Sequence, residues 1–154
     1  MSYKFEVINH PAQRVLSIRT HAAMQDLPVV LPKSFDAVAH YICDLGQQPT
    51  GAPVVAYYSS DPEMQHMDIE IGYPVEQELP GQGNIQLSEL SGGKAASCLY
   101  VGPYDQLRSA YEAIMQWMQA QGHEATGVCY EIYLNDPEQT APEALETQIV
   151  FLLK

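Results

Sequence analysis

Phe35-Asp36-Ala37-Val38, followed by Gly46 and then Thr50-Gly51, returns 76 residues later as Tyr111-Glu112-Ala113-Ile114, Gly122 and Thr126-Gly127. With one deletion the match continues at an offset of 75, which sets Tyr58 on Tyr133 and Asp61-Pro62 on Asp136-Pro137. Upstream the offset is 80: Phe5 lies on Ile85, Arg14 on Lys94 and Ser17 on Ser97. Four extra residues in the first copy explain the change, and the Pro-bounded stretch Asp26-Leu27-Pro28-Val29-Val30-Leu31-Pro32 accommodates them. At the far end Ile71 lies on Ile149, and hence Glu70 on Gln148. Two glycines, a Thr-Gly and an Asp-Pro in the same order mark an internal repeat. The 154 residues therefore read as one domain, 1–154, built from repeat one, 1–80, and repeat two, 81–154. Pro80-Gly81-Gln82-Gly83-Asn84 supplies the linker.

Both copies share one layout. A first strand (3–9 or 84–90) leads through turn residues, His10-Pro11 or Ser91-Gly92-Gly93, into a second strand (14–20 or 94–101). A helix follows. Phe35, Val38, Ile42 and Leu45 recur at three and four, as do Leu107, Tyr111, Ile114 and Met118, and each series makes one apolar stripe. Gly46 and Gly122 are suited to a left-handed helix stop. Two further strands form hairpin-like pairs, 54–59 with 67–75 and 128–134 with 146–153. The expected fold class is α+β: a duplicated β-α-β-β unit with pseudo-two-fold symmetry and antiparallel sheets carrying one main helix per repeat. A groove between the repeats is the expected place for a ligand.

Composition narrows the function. Seven Lys and Arg stand against 19 Asp and Glu, a formal net charge of −12, which repels a phosphate backbone and attracts cations. No apolar run approaches the roughly 20 residues that span a membrane, and the N-terminus lacks a signal pattern. Cys43, Cys98 and Cys129 are odd in number and never form Cys-x-x-Cys, which fits a reducing cytoplasm rather than a disulfide framework or a zinc site. The expectation is a cytoplasmic protein without direct nucleic-acid or membrane binding, without a metal and without a cofactor. Gly92-Gly93-Lys94 is not a phosphate loop, because Ala95 follows and Ser88 stands where the first glycine belongs. The five histidines show no metal-ligand spacing.

Val128-Cys129-Tyr130-Glu131-Ile132-Tyr133-Leu134 is the most informative strand. Alternation puts Val128, Tyr130, Ile132 and Leu134 on one face, read as the helix-covered core, and Cys129, Glu131 and Tyr133 on the other. Glu131 is a lone carboxylate in an apolar, aromatic strand, where glutamate is disfavoured and costly to desolvate. Its counterpart in the first copy is Ala56, so the repeat does not require it. In Met67-Asp68-Ile69-Glu70-Ile71-Gly72-Tyr73, Glu70 is a second candidate acid, although acids alternating with isoleucine are ordinary in a half-solvated strand. Ten tyrosines against three phenylalanines point to pocket walls at Tyr58, Tyr104 and Tyr133. Trp117 reads as core.

Leu90-Ser91-Gly92-Gly93-Lys94, Gly102-Pro103-Tyr104 and Cys129-Tyr130-Glu131-Ile132-Tyr133-Leu134-Asn135-Asp136-Pro137, set in the two-copy layout, resemble the GyrI-like small-molecule-binding domain. That module is also the effector-binding half of AraC-type and MerR-type multidrug regulators. The resemblance spans nearly the whole chain and is strongest in copy two. It implies an aromatic groove with an acidic residue that meets cationic or lipophilic ligands, at Glu131, with Tyr133, Tyr58 and Tyr104 as wall residues. Such regulators carry a helix-turn-helix module ahead of this domain. Here the repeats use up the chain, which implies a stand-alone, non-enzymatic binder that sequesters or senses organic cations. Two alternatives follow from the same resemblance. One is a protein inhibitor whose acidic surface occupies a basic partner such as gyrase. The other is a hydrolase of small electrophiles with Glu131 as base and Tyr133 as acid.

Overall fold

The computed structural model describes residues 3–58 and 67–154. The expectations at Ser59 and Asp61-Pro62 lie outside the described residues. The elements are β1 (Phe5–His10), β2 (Gln13–Ala22), α1 (Leu27–Asp44), β3 (Val54–Tyr57), β4 (Met67–Pro74), β5 (Ile85–Leu90), β6 (Gly93–Val101), α2 (Leu107–Ala120), β7 (Ala125–Tyr133) and β8 (Glu146–Leu153). A single 3-10 turn leads into each helix, at Met24–Asp26 and Tyr104–Gln106. The chain forms two compact units. Unit one joins the chain up to Pro11 with Gly92–Lys154, and unit two is Ala12–Ser91.

Each unit is an antiparallel sheet of four strands with one helix, an α+β arrangement. Unit one runs β1-β6-β8-β7, and unit two runs β5-β2-β4-β3. The first strand of each sequence copy therefore pairs with the second strand of the other copy. β1 does not fold back on β2. His10 precedes a proline, which favours an extended backbone there, and Pro11 fixes its own φ.

The helices follow the repeat. Gly46 (φ 73°) and Gly122 (φ 74°) are both left-handed. Gln47 N–H bonds Ile42 C=O and His123 N–H bonds Met118 C=O, which closes the same six-to-one cap twice. α1 has 18 residues and α2 has 14, so the extra residues of the first copy extend α1 at its start and are not a loop. Pro28 sits in the first turn, where an amide hydrogen has no intrahelical partner anyway; Pro32 lies inside the helix and forgoes one bond.

The helix-covered core of unit one gathers Ala96, Cys98, Ile114, Met118 and Leu153, with Phe5, Trp117 and Phe151 packed against it. Trp117 is thus a core-side residue, as read from the sequence. In unit two Leu16, Ile18, Val38, Ile42, Val75, Leu79 and Ile85 play the same part, with Tyr73 against them. Ser17 opposes Gly72 and Arg19 opposes Glu70, so these four share the face turned away from α1, as expected for β4.

Two expectations are corrected. The registers match Glu131–Ile149 with Val55–Ile71, and Tyr133–Thr147 with Tyr57–Ile69. The counterparts are therefore Val55 and Tyr57, not Ala56 and Tyr58. The offset of 76 persists through the strand, and any deletion falls after it. The faces of β7 are also reversed. Cys129 opposes Phe151, and Tyr111 of α2 reaches Glu131, so Cys129, Glu131 and Tyr133 face the helix. Tyr130 lies on the other face, with its ring 5.6 Å from that of His10. Counting apolar residues failed because both faces are buried here: Tyr130 and Val150 on one, Cys129 and Ile149 on the other.

Candidate functional site

Glu131 is central to β7, and only 6% of it is exposed. Its two oxygens are held by two phenols. Tyr111 of α2 donates to Oε2, and Tyr133, two residues along the strand, donates to Oε1 at 2.5 Å. Tyr111 is held in turn by the Phe151 ring, edge-on at 5.8 Å. Tyr133 packs edge-on against Tyr104, centroid to centroid 5.6 Å. Burial pushes the Glu131 carboxyl above the usual carboxylate range, and the two tyrosine hydrogen bonds oppose that shift. Among the described residues Glu131 has no cationic partner. Cys129 lies beside it, with Sγ 3.7 Å from the Tyr111 hydroxyl. Burial and the neighbouring Glu131 charge drive its thiol upward, so it is a poor nucleophile.

The loop that follows β7 explains why the flanking sequence is distinctive. Asn135 bonds Ala144 C=O through Nδ2 and accepts from Glu146 N–H through Oδ1, clamping the long loop at its neck. Asp136 accepts from Glu138 N–H and closes a local turn. At the other side Gly102 has φ 148°, and a Cβ there would lie 2.8 Å from the Tyr100 hydroxyl. That hydroxyl donates to Pro103 C=O at 2.6 Å. Gly102-Pro103 thereby turns the chain so that Tyr104, 36% exposed, stands over Tyr133.

The internal repeat serves as a control. Unit two carries Phe35, Val55 and Ile69 where unit one carries Tyr111, Glu131 and Thr147. Val55 is fully buried. The Phe35–Tyr73 edge contact at 5.6 Å repeats the Tyr111–Phe151 contact with its hydroxyl on the other partner. One framework thus supports an apolar version and a polar version of the same spot. Thr147 is fully buried, and its Oγ1 has no hydrogen-bond partner among the described residues.

Of the sequence candidates, Glu131, Tyr133 and Tyr104 come together in unit one. Tyr58 and Glu70 meet in unit two, where the Tyr58 hydroxyl donates to Glu70 Oε1 at 2.6 Å and Ser17 donates to Oε2 at 2.5 Å. In sequence Tyr111 is one member of an apolar stripe. The signal that finds it is the Phe35 match, which shows that this helix position needs no hydroxyl for packing. Among the described residues no group of three His, Cys, Asp or Glu gathers to hold a metal, and no helix is long and apolar enough to cross a membrane.

The fold is of the α+β class, two four-stranded antiparallel units with one helix each. The model of the GyrI-like small molecule binding domain matches residues 3–154, and the chain belongs to that family. Among solved structures, the EcmrR C-terminal domain aligns with TM-score 0.82 at 22% identity, covering 100% of this chain and 99% of that one. EcmrR in its complex with DNA aligns with TM-score 0.84 at 22% identity over 99% of this chain, which spans 57% of that chain's length. SAV2435 bound to tetraphenylphosphonium aligns with TM-score 0.69 at 13% identity, covering 100% of this chain and 94% of that one. At these identities the likeness is one of fold. No curated protein matches the chain.

Proposed function

We propose that this protein binds small lipophilic organic cations through Glu131, with Tyr104, Tyr111 and Tyr133 as the surrounding aromatic surface, and so sequesters or senses such compounds. One observation carries the reading. Glu131, held by two phenol hydroxyls and without a cationic partner among the described residues, stands where the sister unit has a fully buried valine. Packing does not call for that exchange, and a desolvated carboxylate lowers stability unless a cation meets it. Aromatic faces around it would favour a charge-diffuse organic cation over a hydrated metal ion. The net charge of −12 raises the local concentration of cations. Binding of tetraphenylphosphonium by a fold neighbour supports the same chemistry.

A thermal-shift screen tests this, because a ligand selective for the native state raises the melting temperature. The panel pairs lipophilic cations with neutral and anionic compounds of matched shape. The proposal expects concentration-dependent stabilisation by the cations alone. Equal stabilisation by the neutral compounds would leave Glu131 without the role proposed for it.

A further inference from the structure

Unit two contains a cavity of about 370 Å3 on the sheet face away from α1. Ser17 and Arg19 of β2, Glu70 of β4, Gln86 and Ser88 of β5, and Asn84 just before β5 supply its polar lining. Ser17 opposes Gln86 across the β2–β5 ladder, so both point to this face. Gly72 permits the close strand packing here, since a Cβ would fall 2.2 Å from Leu16 C=O.

The charges in this cavity are unevenly satisfied. Arg19 spends Nε and Nη2 on Asp68, at 2.6 and 2.7 Å, a two-pronged pair. Its guanidinium also covers the Tyr58 ring at 4.0 Å. Its Nη1 stays 4.0 Å from Glu70 Oε1. Glu70, 4% exposed, thus receives two hydroxyl hydrogen bonds, and among the described residues the cation it meets is Arg19, at 4.0 Å. A carboxylate offers about four acceptor positions, so two remain open.

We propose that this cavity is a second binding site, for small hydroxylated primary ammonium compounds, with Glu70 taking the ammonium group and Asn84, Gln86 and Ser88 the hydroxyls. The lining selects this class. Among the described residues of the lining, Leu87 is the one large apolar side chain and none is aromatic, so they offer a lipophilic cation no ring to stack on. Its amides and hydroxyls both donate and accept, as sugar-like hydroxyls require. Gln86 Nε2 is already anchored on Gly83 C=O at 2.9 Å, which aligns its amide beforehand.

An amide-detected NMR titration with glucosamine, and with N-acetylglucosamine as the uncharged control, tests the proposal on the whole chain. Glucosamine should shift the Asn84, Gln86 and Ser88 amides saturably at about millimolar concentration. N-acetylglucosamine should bind about tenfold more weakly or not at all, since it cannot form the charge-assisted contact. Glu70→Gln should weaken glucosamine by the same factor, whereas Glu138→Gln, on the exposed loop after β7, should leave it unchanged. Should Glu70→Gln not fold, Gln86→Ala on the edge strand β5 replaces it and should weaken binding several-fold. Absence of saturable shifts in this cavity, or equal binding of the two sugars, overturns the proposal.

Discussion

Glu131→Val combined with Tyr111→Phe rebuilds in unit one the pair that unit two carries as Val55 and Phe35. Glu131→Val alone leaves the Tyr111 and Tyr133 hydroxyls without their acceptor, which costs about 1–3 kcal/mol if water cannot replace it. The same change relieves a buried carboxylate, so the two effects oppose each other and the single variant should lie near wild type. Adding Tyr111→Phe removes one of the two donors that lose this acceptor. Replacing buried ionic groups by apolar ones of similar shape is neutral or stabilising by about 1–4 kcal/mol. The double variant should therefore exceed wild type by about 2 kcal/mol at neutral pH, which at a urea slope of about 2 kcal/mol per molar moves the midpoint up by about 1 M. The sign of the pH dependence is an internal check. The folded Glu131 carboxyl titrates above its ordinary value of 4.5 because of burial. Its contribution to stability is thus complete below that value and is lost as pH rises through the raised folded pKa. The advantage of the double variant should grow over that window and then level off. Urea unfolding followed by circular dichroism, from pH 4 upward in about half-unit steps, measures it. A double variant less stable than wild type by more than about 1 kcal/mol at every pH would show that the phenol–carboxylate group is structural, and would refute the reasoning.

Three further outcomes are expected. Organic-cation affinity should fall as the pH is lowered through the raised Glu131 pKa, with a neutral analogue unaffected; calorimetry across that range shows it. Tyr104→Ala should weaken cation binding about three- to tenfold by removing one aromatic face, and Tyr104→Phe should restore most of it, as read from fluorescence titrations. Incubation with styrene oxide should yield diol at the buffer rate; an acceleration abolished by Glu131→Gln would instead establish a hydrolase.

The duplication, both helix caps and the eight strands among the described residues could be read in the chain because they rest on local signals. Gly46 and Gly122, the three-four stripes and the period-two strands each depend on near neighbours. Partner choice is not local: nothing in β1 states that it pairs with β6 rather than β2. The face of β7 was misread because burial on both sides removes the polar alternation that would mark a face. Glu131 stood out as a lone acid in an apolar strand. Tyr111 did not, since a tyrosine in a helix stripe looks like core until its match, Phe35, shows that the hydroxyl is surplus to packing. The cavity beside Glu70 depends on strands β2, β4 and β5 meeting, and its residues lie too far apart in sequence for spacing to reveal it.

The central claim is that Glu131 supplies the counter-charge for an organic cation. Isothermal calorimetry of tetraphenylphosphonium and of neutral triphenylphosphine oxide, each against wild type and Glu131→Gln, tests it most directly. Loss of a charge-assisted contact in a desolvated site is worth about 1.5–3 kcal/mol, so the cation should bind the variant roughly ten- to a hundredfold more weakly while the neutral compound changes little. Equal losses for the two compounds, or no loss for either, would contradict the account.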